Sequence, residues 1–126
     1  MLHVNEILGA SFCLISVILG AFASHYLKNI ISDSAIQSFE VGVRYLMYHG
    51  LVLMILPQFY LDINPLVFKF FVLGTCIFSF SIFLLSIKSL VKINLNWLGP
   101  LTPLGGGILI TAWILLLIEL IVPFLD

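Results

Sequence analysis

Four apolar runs, at residues 4–27, 42–61, 66–87 and 104–125, make up most of the chain. A helix needs about 20 predominantly apolar residues to cross the hydrocarbon layer, so each run predicts one membrane-spanning helix. Polar and helix-breaking residues gather in the junctions "KNIISDSAIQSFE", "DINP" and "KSLVKINLNWLGP". The runs are too long for barrel strands and lack their period-two alternation. The junctions leave no room for a soluble domain. The expected architecture is all-α: an antiparallel bundle of four transmembrane helices, one domain over residues 1–126. "AFA" near the end of the first run resembles a signal cleavage site. That run has no Lys or Arg ahead of it and is long, so it is read as a retained span.

Within each run the residue sizes predict which face meets protein, because helices in lipid associate by close packing of small side chains. The first carries Gly9, Cys13, Ser16, Gly20 and Ala23 in one narrow stripe, with Leu8, Phe12, Ile15, Leu19, Phe22 and Tyr26 assigned to the opposite, lipid-facing side. The third divides into Gly74, Thr75, Ser79, Ser81 and Ser86 against Leu73, Ile77, Phe80, Leu84 and Ile87. The fourth places Gly105, Ala112 and Glu119 seven residues apart. These spacings suit left-handed crossings near +20°. The second helix is expected to begin ahead of the membrane, capped at Ser34 with Gln37 three residues on. Glu40 and Arg44 have the favourable i, i+4 order, and Pro57 predicts a kink.

Composition strengthens this picture. Of 126 residues, 62% are hydrophobic and 9% charged, where a soluble domain carries about a quarter charged. The bilayer is the primary partner. A net charge of −1 offers no basic patch for nucleic acid. Cys13 and Cys76 lie in different runs with no metal-binding spacing and are expected to be buried thiols. No metal or other cofactor is expected. Lys28, Arg44, Lys88 and Lys92 fall on the side of the first and third junctions, against Lys69 on the other. The positive-inside rule then places both termini outside and the first and third junctions in the cytoplasm.

The chain's oddest residues are expected to gather at that cytoplasmic end: Ser24 and His25 closing helix 1, "RYLMYHG" (44–50) opening the second span, Ser86 and Lys88 closing helix 3, and "NWLGPLTPLGGG" opening helix 4. A ligand site there would use His25, Arg44, Tyr45, Tyr48, His49, Gly105 and Gly106. Arg44, Tyr45 and Trp97 also suit the interfacial belt of any membrane protein. His49 sits deeper, where an unpaired polar group is costly; it is expected either to hydrogen-bond a Ser or Thr of helix 3 or 4, or to handle a ligand or proton. Gly105–Gly107 suit either a tight packing hairpin or an anion seat on uncovered N–H groups, although the Lys-Ser/Thr ending of a P-loop is absent. Glu119 is the one carboxylate well inside a run. It reads as an interfacial residue or a proton-coupling one, with Lys69 or His3 to neutralise it.

The ordered motifs "GAFASH", "RYLMYHG", "FSFS" and "GPLTPLGG" followed by Trp113 resemble the family called domain of unknown function 423, over nearly the whole chain. The family pattern reads closer to G-A-F-G-A-H at the first motif, so Ala23 and Ser24 depart conservatively. Phe80 stands where the family often has glycine, which argues against very close helix contact there. The resemblance implies a small integral protein of the bacterial plasma membrane with no established activity. Three functions stay open. One is a non-enzymatic scaffold, assembly factor or accessory subunit that pairs with a membrane protein or with itself. The second is a transporter or binder of a small anionic or lipid-like ligand at the cluster. The third, a membrane enzyme, is the weakest, since no nucleophile, acid–base pair or metal constellation emerges.

Overall fold

The computed structural model describes residues 3–59 and 62–125. Its long helices are α1 (Val4–His25), α2 (Asp33–Ile55), α3 (Pro65–Ser86) and α4 (Leu101–Ile121). Short 3₁₀ turns extend or join them at Leu27–Asn29, Leu56–Gln58, Lys88–Leu90, Asn96–Leu98 and Val122–Phe124, and no strand occurs among the described residues. Each helix, with its flanking turns, is long and apolar enough to cross a bilayer; mean hydropathy is 1.4 for the stretch containing α2 and between 2.1 and 2.4 for the others. The expected end of the second span, residue 61, lies outside the described residues.

Sequence neighbours are spatial neighbours: α1 packs along α2, α2 along α3 and α3 along α4, with only slight contact between other helix pairs. The inner pair is α2 and α3, 39% buried in each case, against 22% for α1 and 17% for α4. Ile7, Leu14, Val17 and Ile18 of α1, and Ile110, Ile114 and Leu117 of α4, face outward as a lipid-contacting surface.

The small-residue stripes are where the helices meet. A Cβ on Gly9 would lie 2.5 Å from the Gly50 carbonyl oxygen, and one on Gly50 would lie 2.8 Å from the Gly9 carbonyl. The hydrogens in those positions therefore point at carbonyls, as in weak Cα–H···O contacts between closely packed helices. Ser16 donates to the Val43 carbonyl at 2.8 Å, and Ser79 donates to the Gly42 carbonyl at 2.9 Å. Two successive carbonyls of α2 are thus tied at one level, one to α1 and one to α3. Ala23, Gly74, Thr75, Ser79, Ser81, Ser86, Gly105 and Ala112 are all buried.

Several local expectations change. The helix cap is Ser32, whose hydroxyl accepts the Ala35 N–H at 3.2 Å, two residues before the expected Ser34; Asp33 then occupies the first turn, favourable for the helix dipole. Glu40 and Arg44 form no ion pair; among the described residues the only such contact is His3–Glu6. At Pro57 the α-helix stops two residues short and tightens into the Leu56–Gln58 turn, so the chain ends the helix instead of kinking it. The bulky row of α1 faces outward only at Phe22 and Tyr26, both exposed. Phe12 is buried and Leu8, Ile15 and Leu19 half-buried, because at 100° per residue that row lies about a quarter turn from the small stripe, not opposite it. Cys13 and Cys76 are half-buried and free, Cys13 against Gly50.

Candidate functional site

His49 is 4% exposed, and its surroundings fix its chemistry. Nδ1 lies 2.7 Å from the Tyr45 carbonyl oxygen, one turn back on α2. Nε2 lies 3.1 Å from Trp113 Nε1 on α4. A carbonyl only accepts and an indole N–H only donates. Nδ1 must therefore carry the proton and Nε2 must be the acceptor. Both ring nitrogens are satisfied by a neutral imidazole, with no position left for a ligand. The ring also packs on Phe71 (5.8 Å between centroids), and Phe71 meets Trp113 edge-on at 5.1 Å. The expected Ser or Thr partner is replaced by Trp113, a residue noted in the sequence only as the end of a motif.

Helix register then shows where each candidate residue lies. Gly50 packs on Phe12 and Cys13, so His49 is level with about Phe12, thirteen residues or about 20 Å from His25 along α1. Phe71, its neighbour on α3, is six residues from the start of that helix and fifteen from its end. His49 therefore belongs to the half of the bundle holding the termini and the α2–α3 connection. Gly105 packs on the backbone of Ile77 and Phe78, near mid-height, and His25 is exposed at the end of α1. The expected one-leaflet cluster is not assembled. The reason is that α2 starts nine residues before the expected span and its first turns lie inside the bundle, with the Phe39 ring tilted against that of Phe83 at 4.9 Å between centroids. Everything downstream on α2 is displaced toward the other end.

The structure does bring Tyr45, His49 and Gly106 together, with Phe78, Leu109 and Trp113, around a groove of about 370 Å³ between α2 and α4. The Tyr45 ring packs tilted against that of Phe78, 4.9 Å between centroids. Arg44 and Tyr48 do not line it and are exposed on the outward face of α2, the Tyr48 ring 5.9 Å from that of Tyr45. The anion seat at Gly105 and Gly106 is absent: α4 begins at Leu101, so those N–H groups lie in the second turn and are taken by the helix's own carbonyls. Glu119 is half-buried and lines a groove with Asp62 and Ile63. Neither expected neutraliser reaches it. His3 bonds Glu6, and Lys69 lines a separate groove between α1 and α3.

These features define a four-span α-helical integral membrane protein, stitched by interhelical serines and a His–Trp hydrogen bond. The chain belongs to the family described as protein of unknown function (DUF423), whose model matches residues 19–106. A UPF0382 membrane protein of Staphylococcus haemolyticus is 37% identical over 117 residues, covering 90% of this chain and 91% of its own. The UPF0382 membrane protein YwdK of Bacillus subtilis is 35% identical, covering 89% and 91%. A UPF0382 membrane protein of Schizosaccharomyces pombe is 32% identical, covering 83% and 91%. No solved structure matches the chain.

Proposed function

We propose that this protein is a non-enzymatic membrane subunit that assembles through the outward face of α2, with a second copy of the chain as partner. Gln37, Glu40, Arg44, Tyr48, Leu51 and Ile55 recur at helical spacing along that face, and all are exposed. The observation that carries the reading is Arg44. Its neighbour Val43 is tied to Ser16, nine residues or about 13 Å inside the end of α1. A cation at such depth facing lipid costs about 2.5–3.5 kcal/mol at the centre of the bilayer on insertion scales, less where it snorkels. Glu40 lies one turn away on the same face. In a parallel two-fold pair equivalent residues meet at one height, and Glu40 of each copy lies about 6 Å along the axis from Arg44 of the other, within reach of its long side chain, so the surface is complementary to itself. The neutral, doubly bonded His49 supports a structural reading of the opening motif over a catalytic or proton-handling one.

A photo-crosslinker placed at Leu51, read out in native membranes, tests this. The expected product is a dimer-sized adduct, absent when the probe is at Val17 on the lipid face of α1. An adduct with a different protein reassigns the partner. No adduct at Leu51 overturns the reading. The positive-inside rule supports the plasma membrane topology with the α1–α2 and α3–α4 connections in the cytoplasm. Arg44, being mid-bundle, leaves that tally, which becomes Lys28, Lys88 and Lys92 against Lys69.

A further inference from the structure

We infer that the crevice between α2 and α4 binds an anionic phospholipid, with its phosphate held where the α1–α2 and α3–α4 connections lie. This does not depend on the pairing of α2. A cavity of about 560 Å³ opens there between the start of α2, the end of α3 and the start of α4. Ser34 and Thr102, the second residues of α2 and α4, both line it. Two helix N-termini thus border one space with their partial positive charge, the Ala35 N–H being taken by Ser32 and Pro103 carrying none. Lys88 adds a full positive charge, and no carboxylate is among the lining residues.

The independent observation is Ser86. It lines the same cavity, is 7% exposed, and its hydroxyl has no hydrogen-bond partner. Buried hydroxyls are normally paired, because desolvating one without a partner is unfavourable. Of the other buried hydroxyls of α3, Ser79 donates to Gly42, Ser81 donates to the Phe78 carbonyl while accepting from Thr102, and Thr75 is unpartnered like Ser86 but does not line this cavity. Of the two unpartnered hydroxyls, Ser86 is the one at the cavity. Donors without acceptors select an acceptor-rich anion, and a phosphate supplies one.

A lipid is favoured over a free phosphate by what lies next in line. Toward the membrane centre the cavity lining becomes apolar at Val41 and Ile82. On the same sides of α2 and α4 follows the groove of Tyr45, Phe78, Leu109 and Trp113. From Thr102 to Trp113 is eleven residues, about 16 Å, or half the hydrocarbon thickness. That is the depth of one leaflet, with a polar seat at one end and an apolar track below.

Native mass spectrometry of the full chain from detergent micelles tests the site, titrating phosphatidylglycerol, phosphatidylcholine and glycerol 3-phosphate separately. Phosphatidylglycerol should bind at least about tenfold more tightly than phosphatidylcholine. S86A and K88Q should each weaken it about tenfold, the loss expected for one hydrogen bond to a charged group. Lipid-free S86A should melt no lower than the parent, because the hydroxyl has no internal partner; a purely structural role predicts a loss. G106L, which fills the lower groove, should weaken phosphatidylglycerol alone. Glycerol 3-phosphate binding that falls in S86A and K88Q while G106L changes nothing assigns the seat to a soluble phosphate and overturns the lipid. Equal binding of both lipids, or unchanged binding in S86A and K88Q, overturns the site.

Discussion

At the residue scale the His49–Trp113 hydrogen bond is the most informative contact, joining positions 64 apart in sequence. Each partner alone is a liability in an apolar setting, whereas an apolar pair of similar shape is nearly neutral. W113F should therefore lower unfolding free energy in detergent by about 1–2 kcal/mol, leaving Nε2 unpaired. H49F should do likewise, stranding the indole N–H, and the double variant should cost less than the sum. The coupling expected is about 0.6–1.7 kcal/mol, the span found for hydrogen bonds between membrane helices; strict additivity in denaturant unfolding removes the bond from the stability of the bundle. The need for a partner was legible in the sequence, because a histidine inside an apolar run cannot stay unpaired. Its identity was not, since a nearby Ser or Thr satisfies the same need on paper and only the register of α2 against α4 selects Trp113.

At the scale of elements, the run Gly105–Gly106–Gly107 shows how far composition reads. Three glycines suggested close approach for all, and the structure divides them. A Cβ on Gly105 would collide with the backbone of Phe78, one on Gly106 would meet the Phe78 ring at an ordinary 3.7 Å, and one on Gly107 would meet nothing within 4 Å. Backbone cannot move aside as a side chain can, so G105A should destabilise by about 1–3 kcal/mol, the usual cost of overpacking. G107A should be neutral or stabilise by up to about 1 kcal/mol through helix propensity. Thermal melts of the two variants check this, and similar shifts for both would remove the α3–α4 contact at Gly105. The interface stripes of α1 and α3 were readable because burial in lipid selects small residues at a fixed angle. The start of α2 was read to within two residues from its cap, but the packing of its first turns was not, because hydropathy marks where polar residues end, not where the helix begins to pack.

For the whole molecule, orientation and assembly constrain one another. With Arg44 removed from the tally, three lysines at the α1–α2 and α3–α4 end still oppose Lys69, and the rule counts such residues close to the span ends. In a C13A/C76A background, N64C at the α2–α3 connection should therefore react with a membrane-impermeant maleimide on intact cells. I93C in the exposed α3–α4 connection should react only after lysis; Ile93 is 73% exposed. The reverse pattern inverts the topology. Labelling of both on intact cells means the chain inserts both ways, and that outcome reaches further than orientation. A pair of opposite orientation has its two-fold axis in the membrane plane, at the height of mid-bundle Arg44, which carries the two Leu51 side chains about 21 Å apart along the axis, so only a parallel pair gives the Leu51 adduct. Labelling at one site only, together with a Leu51 crosslink that is lost in R44E and regained in E40R/R44E, ties the charge pattern on α2 to the way the chain sits in the membrane.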